Sequence, residues 1–283
     1  MWPKYTKRVD LESGGPSALY PGMIESPDLR WAFIRKIYMI LTVQLALTAA
    51  VAAVVVSVKS ISHFFVSSSA GLGLYIFLII LPFIRIFISP FLRFYSLLEK
   101  ALILFRCVFL FLEFMALFLV GNSAVLCPLY IYRERHPVNL LLLGLFTLSI
   151  SFAVGMSCAF TSGKVILEAA ILTTVVVVSL TLYTFWASRR GHDFNFLGPF
   201  LFAAVLVLLV FGLIQILFPL GKISVMIYGG LGALIFSGYI IYDTDNLIKR
   251  FTYDQYVWAA VSLYLDVINL FLSLLTLLRA ADS

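Results

Sequence analysis

Asp243 and Asp266 are the residues of this chain best placed to do chemistry, because each interrupts a long apolar run. An acid at the centre of a hydrocarbon layer costs at least ~2.5 kcal/mol, so it must be paired, protonated or used. In the C-terminal run Ser262, Asp266, Asn269, Ser273 and Thr276 recur at i, i+4, i+7, i+11 and i+14, one stripe on an otherwise apolar helix. That stripe must face protein. Asp266 follows Thr252 by about a dozen residues, which places it roughly 18 Å along the helix, near mid-membrane. In the preceding run Gly232, Tyr239 and Asp243 share a face, and Gly229, Ala233 and Ser237 form a row of small residues that admits a neighbouring backbone. Only a short connection joins the two runs, so they are antiparallel and the carboxyls fall within about two turns of the same depth. Such a pair can share one proton and titrate as a unit. Deprotonated, it offers hard oxygen ligands to a cation such as Ca²⁺.

Other polar residues carry weaker signals. Glu168 is a possible secondary acid, although Lys164 four residues earlier also makes it half of a snorkelling ion pair. Arg133 and Arg135, in a short connection, can reach back toward the acids or serve only as topology determinants. Asp245 is two residues nearer the connection and on another face, where it is expected to be solvated. His63, His136 and His192 are scattered, and Cys107, Cys127 and Cys158 are odd in number and set in apolar sequence, so neither a metal knuckle nor a disulfide framework is expected. Two aspartates on adjacent spans also raise an intramembrane aspartyl protease, but Asp266 lies in Tyr-Leu-Asp-Val rather than the Gly-x-Gly-Asp that chemistry uses. No enzyme is expected.

The elements that position these residues are membrane spans. The 283 residues are 62% hydrophobic and 12% charged, against roughly half and a quarter in soluble domains. Apolar runs long enough to cross a ~30 Å hydrocarbon core are expected near residues 37–58, 70–84 continuing at 125–132, 138–160, 165–187, 197–218, 223–246 and 254–278, seven spans in all. The net charge of +6 sits in short clusters beside these runs rather than on one basic face, which argues against nucleic acid and for the lipid bilayer as the main partner. Lys4, Lys7, Arg8, Arg30, Arg35 and Lys36 precede the first span and only Lys59 follows it, so the N-terminus is expected in the cytoplasm. Residues 1–30, with Gly14, Gly15, Pro16, Pro21, Gly22 and Pro27 and no apolar leader, are expected to form a mobile cytoplasmic tail, leaving the first span as the targeting signal. Residues 85–124 break the pattern: the run from Ala101 to Val120 carries Arg106 and Glu113, and counting it as a span would put Arg133 and Arg135 on the wrong side. It is expected to lie along the interface, to re-enter the membrane, or to pack badly.

Gly238-Tyr-Ile-Ile-Tyr-Asp-Thr-Asp-Asn246 and Ala259-Ala-Val-Ser-Leu-Tyr-Leu-Asp-Val-Ile-Asn-Leu-Phe271 resemble the signature of the Bax inhibitor-1 (transmembrane BAX inhibitor motif) family. His136-Pro-Val-Asn139, Phe160-Thr-Ser-Gly-Lys164, Gly191-His-Asp-Phe-Asn-Phe-Leu-Gly-Pro199, Leu19-Tyr-Pro-Gly22 and Arg30-Trp-Ala-Phe-Ile-Arg35 are similar to the plant LIFEGUARD branch. The resemblance implies a seven-helix bundle with the last helix central and a pH-sensitive Ca²⁺ leak from an internal membrane, such as the endoplasmic reticulum, Golgi or vacuole. It implies Asp243 and Asp266 as the gating pair, with an arginine latch that matches Arg133 or Arg135. It also implies restraint of programmed cell death and stress responses, with cell-death regulatory proteins as partners; a non-conducting scaffold for such partners is the alternative, and no resident cofactor is implied.

In such relatives a sequence like Leu81-Pro-Phe-Ile84 runs directly into one like Val125-Leu-Cys-Pro-Leu-Tyr130, so residues 85–124 read as an insertion that splits the second span. Its Phe/Leu-rich, motif-free character points to a retained intron or an error in the gene model. Sequencing transcripts across the junction should find mature messages that lack the codons for 85–124; messages that uniformly keep them would remove that explanation.

Overall fold

A computed structural model describes residues 18–58, 138–218 and 220–283. Within them lie six long helices and no strand: α1 (Pro27–Ser57), α2 (Val138–Ala159), α3 (Gly163–Arg189), α4 (Leu197–Leu217), α5 (Lys222–Lys249) and α6 (Tyr256–Asp282). All six are long and apolar enough to cross a membrane. The expected second span (70–84 and 125–132) and the segment 85–124 lie outside the described residues.

Local sequence sets the helix ends. Ser26 caps α1, its side chain accepting from the Leu29 N–H at 3.3 Å, with Pro27 in the first turn and Asp28 against the positive end of the helix. Ser162 caps α3 in the same way through the Val165 N–H. Gly221 opens α5 at φ +86°, a conformation that side chains resist. Between α5 and α6 a single 3-10 turn, Tyr253–Gln255, is closed by a capping box of Thr252 and Gln255.

Three expected boundaries move. α1 begins at Pro27, about ten residues before the apolar run at Ile37, because Arg30, Arg35 and Lys36 hide an amphipathic first stretch whose Phe33, Ile34 and Ile37 turn inward. The tail is likewise shorter than expected: Leu19 is 1% exposed and belongs to the core, so chain order starts well before residue 30. At the other end α6 runs to Asp282, beyond the expected limit at 278.

The packing is that of a protein dissolved in lipid. Leu167, Ile171, Val175, Val178 and Leu182 of α3 and Phe200, Val207 and Val210 of α4 are exposed, while Gln44, Thr48, Thr147, Ser151, Thr173 and Thr184 are buried. Water would penalise that surface, whereas hydrocarbon favours it and drives polar side chains inward. The chain is a multi-pass membrane protein. In α6, 44% of the membrane-length window is buried, against 11 to 33% in the other five helices, and α6 packs on α1, α2, α3 and α5.

The tightest approach is between α5 and α6. A Cβ on Gly229 would lie 2.8 Å from the Leu277 nitrogen and the Ser273 carbonyl oxygen, and one on Gly232 would lie 2.6 Å from Ser273 Oγ. The obstacle at Gly229 is backbone, which cannot swing aside. Gly229→Val should therefore cost at least the ~1–3 kcal/mol of an overpacked core, read as a lowered unfolding midpoint in detergent or nanodiscs, whereas the same change at Gly230, where a Cβ meets nothing within 4 Å, should have little effect.

Candidate functional site

Close α5–α6 packing brings Asp243 and Asp266 together. The two carboxyl groups lie within hydrogen-bonding reach of each other, a contact that one shared proton would bridge, since an ionised carboxylate only accepts. Asp266 is 6% exposed and its Oδ2 has no hydrogen-bond partner among the described residues. Asp243 is half-buried, with the Ser262 hydroxyl within bonding reach and the Asn246 amide at 3.5 Å. Among the described residues no third His, Cys, Asp or Glu joins the pair. Two carboxylates and one hydroxyl fall short of the 6–8 oxygens of a resident Ca²⁺ site.

The polar stripe of α6 divides by partner. Ser262 donates to the Ala259 carbonyl at 3.2 Å with Asp243 within reach, while Ser273 is buried against Gly232, its hydroxyl donating to the Asn269 carbonyl at 2.7 Å. Thr276 donates likewise to the Leu272 carbonyl at 2.7 Å. Asn269 itself is half-buried on the same helix. Glu168 does not reach the pair. It lies 3.8 Å from Lys164 with its side chain 45% exposed, about 30 Å along α3 from Ser188, which touches the residue two positions beyond Asp243. Arg133 and Arg135 lie outside the described residues.

Asp245 corrects the sequence reading. Expected in solvent, it is 0% exposed. Its Oδ1 meets Lys249 Nζ at 2.5 Å and accepts from the Ser188 hydroxyl at 3.0 Å, and its Oδ2 accepts from the Phe194 N–H at 3.3 Å. The other face of α5 that was assigned to solvent is covered by the end of α3 and the loop after it. The i, i+4 spacing of Asp245 and Lys249 was a readable signal; the cover was not. Nearby, Arg250 holds Asp193 at 2.7 Å and Lys249 Nζ donates to the His192 carbonyl at 2.5 Å, so the α3–α4 loop is fastened to the end of α5. Partial burial pushes the Asp193 carboxyl up, but the Asn195 N–H and the Arg250 guanidinium outweigh it and hold its pKa below the usual value. What this pair contributes is therefore present at neutral pH and lost as pH falls through that lowered value.

Arg30 fastens a second loop. Its buried guanidinium donates to the Phe251 carbonyl at 2.7 Å and the Leu247 carbonyl at 3.4 Å, at the end of α5, and pairs with Glu25. Glu25 in turn accepts from the Tyr253 hydroxyl at 2.6 Å. Nothing in the spacing of these residues foretold that the start of α1 caps the end of α5.

This is a multi-pass helical membrane protein whose last two helices share a buried dicarboxyl contact. A family model described as inhibitor of apoptosis-promoting Bax1 matches residues 30–283. The chain is 60% identical to Protein LIFEGUARD 2 of Arabidopsis thaliana over the whole of both chains, and 33% identical to Protein lifeguard 4 of Mus musculus over 91% of this chain and 88% of that one. It is 41% identical to the Golgi anti-apoptotic protein of Vaccinia virus (strain Lister) over 57% of this chain and 67% of that one. The chain belongs to the Bax inhibitor-1 family, whose family model and whose Vaccinia virus relative are named for opposing apoptosis.

The two ion pairs on α5 should separate sharply on mutation. Asp245→Asn leaves the largely buried Lys249 ammonium without its counter-charge and should lower stability by about 3 kcal/mol. Asp193→Asn breaks an exposed pair and should cost no more than about 1 kcal/mol. Denaturation of the two variants in the same lipid measures the difference.

Proposed function

We propose that this protein is a pH-sensitive Ca²⁺ leak channel of an internal membrane that restrains programmed cell death and stress responses. The observation that carries the reading is the contact of the Asp243 and Asp266 carboxyls between two tightly packed apolar helices. While one proton is shared the pair is closed. Once that proton leaves, two like charges repel across a low-dielectric gap, the contact opens, and its oxygens face a passing cation. The lean donor set supports transit over storage, because weak coordination lets the ion leave.

The rest of the reading follows from sequence and kinship. The bundle has seven spans, the second formed by 70–84 continuing at 125–132 around the interruption at 85–124, and the N-terminus faces the cytoplasm. Arg133 or Arg135 approaches the pair as a latch. The family description and the viral relative named for the Golgi and for opposing apoptosis support a cell-death role in an endomembrane.

The test is Ca²⁺ flux from vesicles holding the purified full chain, measured at two pH values. Asp243→Asn and Asp266→Asn should each abolish the pH response, and unchanged flux in both variants would sink the channel reading. If cells remain protected by a protein that carries no Ca²⁺, with or without its aspartates, the scaffold takes its place.

A further inference from the structure

We infer that Tyr264 is a positioning residue for the carboxyl pair, its hydroxyl fixing the rotation of α6 from the side opposite Asp266. The inference rests on the reading of that pair as the gate. Tyr264 precedes Asp266 by two residues, about 200° around the helix, so it points away from α5. It is fully buried, and its hydroxyl lies 2.8 Å from Thr48 Oγ1 of α1. Ser151 of α2 completes the group, its Oγ 3.0 Å from the same Thr48 oxygen. Three helices thus meet at one oxygen.

The direction of the bond can be assigned. Thr48 has one hydroxyl proton, and the Gln44 carbonyl at 2.8 Å takes it as an i, i+4 bond, leaving the Thr48 oxygen to accept from Tyr264. The platform it reaches is stiff. One turn away the Gln44 amide donates to Thr147 Oγ1 at 3.0 Å, tying α1 to α2. Further along, Gly155 lets α2 approach α1 so closely that a Cβ there would lie 3.0 Å from Val55 Cβ and 3.2 Å from Ala52 Cα. The Tyr264 ring meets Phe146 of α2 edge-on, with centroids 6.2 Å apart.

A packing role needs only the ring, which Phe would supply. The hydroxyl adds an angular constraint. A rotation of α6 by 20° would move a group about 6 Å from its axis by about 2 Å, enough to separate two carboxyls in contact. Among the described residues Asp243 is the charged group that acts on Asp266, and Tyr239 is near enough to feel both acids; both are on α5, and no charged side chain of α1, α2 or α3 acts on it. The Tyr264 bond therefore acts on the pair through geometry alone.

The test follows the carboxyl C=O infrared band of the purified full chain in nanodiscs as pH is varied, with Asp266→Asn identifying the band, and Ca²⁺ flux is measured in parallel. Tyr264→Phe and Thr48→Val should each move the titration midpoint, in the same direction, and the double variant should move it no further than one of them does. Thr147→Val, which removes one bond between α1 and α2 but keeps the Tyr264–Thr48 bond, should move it less than either. Thr48→Val carries the same test should Tyr264→Phe fail to fold. Wild-type midpoints in both single variants would overturn the inference, even if their stability fell. If the midpoint moves but no protein carries Ca²⁺, the channel reading fails and the positioning role stands; if flux responds to pH and the midpoint does not move, the reverse holds.

Discussion

A carboxyl group in the middle of a hydrocarbon layer is tolerated only if another polar group meets it there, and Asp266 meets Asp243. For that contact α5 must come closer to α6 than side chains normally allow. Gly229 and Gly232 supply the missing volume: backbone of α6 occupies the place of one Cβ, and the Ser273 hydroxyl the place of the other. The small-residue row and the acid are thus parts of one device, at opposite ends of the same helix pair.

Three polar fastenings join the helices of that pair to the rest of the bundle. Arg30 ties the start of α1 to the end of α5, Asp245 ties α5 to the end of α3 and the loop beyond it, and Tyr264 ties α6 to α1 and α2. These fastenings are polar because lipid offers no hydrophobic gain for joining two apolar helices; hydrogen bonds and close packing must do it. The most buried helix, α6, carries a buried polar residue on each of two opposite sides, Tyr264 and Asp266.

Much of this was legible in the chain itself. Apolar runs marked the six described helices, and Gly229 in the row of small residues marked where α5 comes closest to α6. Asp245 was misread because its neighbours in sequence say nothing about the loop from α3 that covers it. Arg30 and Tyr253 are more than two hundred positions apart, yet the Arg30 guanidinium lies 5.3 Å from the Tyr253 ring. Thr48, Ser151 and Tyr264 look individually like ordinary span residues.

By itself, then, the sequence determined that the chain lives in a membrane and where its described helices run, because these depend on local hydropathy and helical period. Only the tertiary structure decided that the two carboxyls touch, that Asp245 is buried, and which side chains fasten the last helix. Those are properties of one helix against another, and the partner of a buried polar group is chosen by packing rather than by its place in the chain.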